Sequence, residues 1–142
     1  MTVALSPETR APKQPLQPSG WLRYFSFSVD HKVIGLQYLV CGFAFYLVGG
    51  ALAGAIRTEL LSPVSDFMPR DVYNQVLTLH GTVMIFLWIV PVVNGAFGNY
   101  LIPFYVGARD MAFPRLNAVA FWLIPPAGLM LIASYFLTGA AQ

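Results

Sequence analysis

The chain has 142 residues, 57% of them hydrophobic and only 10% charged, with a mean hydropathy of +0.64, a balance that excludes a soluble domain and places the polypeptide in a bilayer. Its formal charge of +2 comes without any basic patch suited to nucleic acid. The single Cys41 excludes disulfides and thiolate metal sites within the chain, and neither a Gly-rich phosphate loop nor a Ser/His/Asp set is present.

In chain order, residues 1 to 29 form an expected tail. Pro7, Pro12, Pro15 and Pro18, with Gly20 and scattered Ser and Gln, predict a solvated, disordered segment. No apolar core precedes a small-residue cleavage site, which speaks against a secretory signal. Trp21-Leu22-Arg23-Tyr24-Phe25 mixes aromatics with a cation and is expected to anchor the tail at headgroup level. Three uncharged stretches follow: Val33 to Ile56, Val72 to Ala108 and Leu116 to Gln142. Each exceeds the roughly 20 residues that cross about 30 Å of hydrocarbon. They predict spans at about 33–56, 72–105 and 116–140. The second stretch is too long for one straight crossing and should tilt or run on past Pro103 as an interfacial segment.

Cations set the orientation. Arg10, Lys13, Arg23, Lys32, Arg109 and Arg115 flank one side, against Arg57 and Arg70 on the other, so the N-terminus is expected inside. His80 then lies toward the outer surface, nine residues past Asp71, or roughly 13 Å of helix. Asp110 marks the inner surface.

His80 is the residue most out of place, because no residue from Val72 to Ala108 carries a full charge. An ionisable group inside a membrane is a functional-site hypothesis by default. A neutral imidazole is satisfied there by giving one ring nitrogen to a metal while the other donates to a neighbour; the plainer role is a hydrogen bond to another helix. At 100° per residue Tyr73, Val76, Val83, Met84 and Leu87 share its face, with Asn94 returning to it further on, a composition expected of a wall against a porphyrin. Gly50 and Gly54 form a GxxxG, with Gly49 and Ala53 beside it and Gly95 and Gly98 in the second span. Close helix packing is the commoner use of such seams; room for a flat prosthetic group is the other. Cys41 is expected to pack as a small apolar residue. His31, between Asp30 and Lys32, reads as a solvated interfacial histidine. Arg57 is either a cation snorkelling to the headgroups or a donor to a polar substituent on a buried cofactor. Asp110, with Asn99 and Asn117 about the second loop, offers either helix caps or the polar, negatively charged entrance of a proton path.

These residues fall into a familiar order. Asp30-His31-Lys32-Val33-Ile34-Gly35, Arg57-Thr58-Glu59-Leu60, Tyr73-Asn74, Thr78-Leu79-His80-Gly81 with Met84-Ile85-Phe86, Asn99-Tyr100-Leu101-Ile102-Pro103, and Asp110-Met111-Ala112-Phe113-Pro114-Arg115-Leu116-Asn117 together closely resemble subunit I of the haem-copper terminal oxidases. The likeness runs from about Val29 to the C-terminus. The wording at Trp88-Ile89-Val90-Pro91 and at Asn117-Ala118-Val119-Ala120-Phe121-Trp122 looks most like the cyanobacterial cytochrome c oxidases.

The resemblance implies an all-α membrane protein contributing three transmembrane helices to a twelve-helix bundle, with residues 30–142 as the haem-binding region. It implies that His80 is the axial ligand of the low-spin haem a iron and that Arg57 hydrogen-bonds the haem formyl. Tyr73 would stand near that haem, and Glu59 at an outer cation site. Asp110, Asn99 and Asn117 would form the mouth and early lining of a proton channel. The implied activity is that of a proton-translocating cytochrome-c oxidase: electrons enter from cytochrome c, pass through the low-spin haem and reach a second haem and copper that reduce oxygen to water. The second axial histidine, the high-spin haem ligands and the copper ligands would lie beyond Gln142, so these 142 residues are expected to be an N-terminal portion, inactive alone and partnered by the remainder of subunit I and the other oxidase subunits. The expected location is a bacterial plasma membrane or a cyanobacterial thylakoid membrane.

Two other classes stand beside this one. A quinol oxidase or nitric oxide reductase of the same superfamily keeps the ligand histidine, although Asp110 argues against the reductase. A non-catalytic membrane fragment would keep His80 as a structural residue only; an optical spectrum with and without added haem separates the two.

Overall fold

A computed structural model describes residues 20–61, 63 and 67–138 of the chain. The proline-rich tail expected for residues 1–19, and the last two residues of the expected third span, lie outside the described residues. Among those described, the chain is helical and without strands, and three helices are long and apolar enough to cross a membrane.

A short 3₁₀ helix, Gly20–Phe25, precedes the first span. It is tied to that span by Gln37, whose buried side-chain amide donates to the carbonyls of Tyr24 and Ser26, each at 2.9 Å. The first span, His31–Glu59, starts where it does because Asp30 caps it. The Asp30 carboxylate accepts from the backbone N–H of Lys32 at 3.0 Å, satisfying one of the donors a helix start leaves orphaned.

The second span, Arg70–Val106, is one continuous helix of 37 residues, about 55 Å at 1.5 Å per residue. Its middle is wound as two π-helical stretches, Val83–Ile89 and Pro91–Phe97. Pro91 has no N–H to give the carbonyl one turn back, and the backbone widens on either side of it, with Val90 N–H reaching the Ile85 carbonyl. The helix runs through Pro103 and ends at Gly107, whose φ of +71° only glycine adopts at low cost. Bonds from Gly107 N–H to the Phe104 carbonyl and from Ala108 N–H to that of Pro103 close the end as a Schellman motif. The third span is Pro114–Thr138.

The core is one stripe per helix. Ile34 and Tyr38 of the first span pack with Ala96 of the second and Ala118 and Phe121 of the third. Nearer the other surface, Phe45 meets Leu79, Val83 and Leu87. Cys41 and Ile124 touch both clusters, so Cys41 packs as the sequence led us to expect. The close approach of the first two spans is made by glycines spaced seven apart. A Cβ on Gly35 would lie 2.8 Å from the Tyr100 ring, and one on Gly42 would lie 2.7 Å from Val92. One on Gly49 would meet Met84 at 2.5 Å. The partner numbers fall as the glycine numbers rise, which is an antiparallel register. Gly95 does the same for the second span against the Tyr38 ring, and Gly128 for the third against the Phe45 ring.

This corrects one expectation. The GxxxG pair Gly50 and Gly54 is not the packing seam: a Cβ on either residue, or on Gly81, would find nothing within 4 Å. Gly49 points at the second helix, and the residues one and five places on are turned away from it by the 100° step.

Candidate functional site

His80 sits on the second span just before the first π-helical stretch, half-buried at the edge of the core stripe. Its Nδ1 is 2.9 Å from the backbone carbonyl oxygen of Gly49 on the first span. A carbonyl only accepts, so Nδ1 carries the hydrogen and donates it. The neutral ring then holds its lone pair on Nε2, the atom free to bind a Lewis acid. Glycine at position 49 leaves room for the Met84 side chain beside this bond, since a Cβ there would lie 2.5 Å from its sulfur.

The face around His80 differs from the expected wall. Val76, Val83 and Leu87 are buried within the chain's own packing, and only Tyr73 and Met84 are half-buried beside it. The open surface is instead supplied by glycine. Gly50, Gly54 and Arg57 fall within a narrow arc of the first span at 100° per residue, adjacent to the Gly49 carbonyl that His80 engages, and Gly81 follows His80 on the second span. Arg57 is exposed at the C-terminal end of the first span, two helical turns or about 12 Å beyond Gly49.

A small cavity at the same end is lined by Glu59, Leu60, Met68, Arg70, Tyr73 and Asn74, which brings the sequence-selected Glu59 and Tyr73 together. The Glu59 carboxylate accepts from the backbone N–H of Met68 at 3.0 Å, pinning the loop to the end of the first span. No group of three or more His, Cys, Asp or Glu residues gathers among the described residues.

At the opposite end, Asn99 is buried and donates through Nδ2 to the Gly95 carbonyl, while its Oδ1 accepts from Asn117 Nδ2. Two of the three expected polar residues are therefore joined across the second and third spans. Asp110 is engaged elsewhere, by His31 Nδ1 at 3.0 Å and by the Met111 backbone N–H at 2.8 Å. His31 corrects the sequence expectation: it is 7% exposed and paired rather than solvated. The signal for this pairing was available, since topology puts the start of the first span and the second loop on one surface. Gly49 was also missed as a hydrogen-bonding partner, because a backbone carbonyl leaves no mark on side-chain pattern.

The sequence model of the family described as Cytochrome C and Quinol oxidase polypeptide I matches residues 33–142. The chain is 65% identical over 122 residues to cytochrome c oxidase subunit 1 of Thermostichus vulcanus and 63% identical over the same length to that of a Synechocystis species. Each alignment takes in 86% of this chain and 22% of the relative. A haem-copper oxidase subunit I+III of Aeropyrum pernix is 43% identical over 121 residues, covering 85% of this chain and 15% of that protein. The chain thus spans about a fifth of the length of the cyanobacterial relatives, whose similarity agrees with the wording at Trp88 and Asn117.

Proposed function

The chain belongs to the cytochrome c and quinol oxidase polypeptide I family, and from that premise we propose that it forms the low-spin haem wall and the inner proton entrance of an oxidase subunit I. The observation that carries this reading is the His80–Gly49 bond, which fixes the tautomer and leaves Nε2 as a ligand atom. The open glycine surface beside it supports the fit, since Gly50, Gly54 and Gly81 leave space where side chains would stand. His80 would hold the iron of haem a through Nε2, with Arg57 as the donor to its formyl group and Tyr73 near its edge. Glu59 is assigned to an outer cation site. The haem supplies one-electron transfer at its iron when bound.

The chain's own residues supply the rest. The Gly49 carbonyl orients the imidazole and holds its tautomer, and the buried aliphatic layer of Val76, Val83 and Leu87 keeps the neighbourhood of low dielectric. Asp110, which is exposed, would gather protons from the inner side by its charge, and the Asn99–Asn117 pair would line the way inward with hydrogen-bonding groups. Oxygen reduction by cytochrome c, coupled to proton pumping in the respiratory chain, is the activity proposed for the complete subunit with its other oxidase subunits. The N-terminus is placed on the cytoplasmic side of a bacterial plasma membrane or thylakoid. In a complete enzyme His80→Ala is expected to abolish the low-spin haem absorbance while the helical content stays unchanged by circular dichroism. An unshifted band at full intensity would overturn the proposal.

A further inference from the structure

Where the first span begins and the second ends, a cavity of about 570 Å³ opens between the two helices, lined by His31, Lys32, Tyr100, Leu101, Arg109 and the Phe104 ring, among others. Its charges are one-sided. Of the acidic groups nearby, Asp30 is held by Arg23 at 3.0 Å and by the Lys32 backbone N–H, and Asp110 is held by His31 and Met111. The Lys32 and Arg109 side chains, both exposed, make no hydrogen bond or ion pair among the described residues. The remaining lining is apolar. Beyond it the last turn of the second span presents Phe104, Tyr105 and Val106, from 74% to 80% exposed, a surface suited to the boundary between headgroups and acyl chains.

We propose that this cavity binds the phosphodiester headgroup of an anionic phospholipid from the inner leaflet. Lys32 and Arg109 clasp the phosphate, and Leu101 and Phe104 meet the first carbons of the acyl chains. Two unpaired cations over an apolar floor select an anion that carries its own hydrocarbon, as basic clefts between spans do for anionic lipids. A soluble phosphate gains nothing from that floor.

Native mass spectrometry of the full chain in detergent, titrated with dioctanoyl phosphatidylglycerol, tests the proposal. One lipid should bind in preference to the phosphatidylcholine of equal chain length. With each cation contributing about fivefold at the membrane surface, Lys32→Gln and Arg109→Gln should each weaken it by about that factor, and the double variant by about 30-fold. The exchanged pair Lys32→Arg with Arg109→Lys should restore binding. Arg115→Gln, on the same surface but outside the cavity, should change nothing. Equal weakening by Arg115→Gln, equal retention of phosphatidylcholine, failure of the exchanged pair, or equally tight binding of inorganic phosphate would each overturn the site.

Discussion

His80 and Asp110 show how little sequence is needed to select a residue and how much structure is needed to say what it does. A lone imidazole in an uncharged segment, and a lone carboxylate at the end of one, stand out from the letters alone, the imidazole because burying it without a partner costs several kcal/mol. Their partners do not stand out. The Gly49 carbonyl that fixes the His80 tautomer and the His31 ring that holds Asp110 depend on which helix faces touch. For Asp110 this has a functional consequence. Asp110→Asn keeps a side-chain oxygen that can still accept from Met111 N–H, so the loop should remain in place while the negative charge is lost. In a complete oxidase the expected result is slower turnover or uncoupled pumping with haem spectra unchanged. Stopped-flow proton uptake alongside optical spectra would check it, and full pumping would count against the channel reading.

Among the helices, the number and approximate limits of the spans follow from hydrophobic run length, while the use of each glycine does not. GxxxG at Gly50 and Gly54 is a strong local signal, yet the packing seam is Gly35, Gly42 and Gly49, a seven-residue spacing that keeps all three on the face turned to the second span because each step drifts only about 20°. The two kinds of glycine should behave oppositely on substitution. Gly95→Ala and Gly128→Ala each push a Cβ into an aromatic ring and should destabilise the bundle by about 1–3 kcal/mol. Gly54→Ala meets nothing and should be neutral or slightly stabilising through helix propensity. Unfolding in mixed micelles measures both. Gly54→Leu should leave that unfolding curve intact and still prevent haem incorporation in a complete enzyme, the separation expected if the surface is kept clear for a flat group.

Taken together, the three spans form a bundle whose exterior is more apolar than its interior is large: Leu47, Phe86, Met130 and Leu137 among others lie largely uncovered. A surface of that composition suits lipid or the packed faces of other helices. Membrane residence and helical class were legible from composition, since no water-soluble packing satisfies such a sequence. Orientation follows from the excess of cations flanking one side of the spans. In a Cys41→Ala background, Lys32→Cys should be modified by an impermeant thiol reagent only from the inner side, and Arg57→Cys only from the outer; reversed accessibility would invert the assignment. Iron at Nε2 of His80 is the central assignment. The most direct test is His80→Gly in the complete oxidase, read by its low-spin haem spectrum before and after adding imidazole. The expected result is loss of the band and its return with the free ligand. Full retention of the native band in the glycine variant would contradict ligation by this residue.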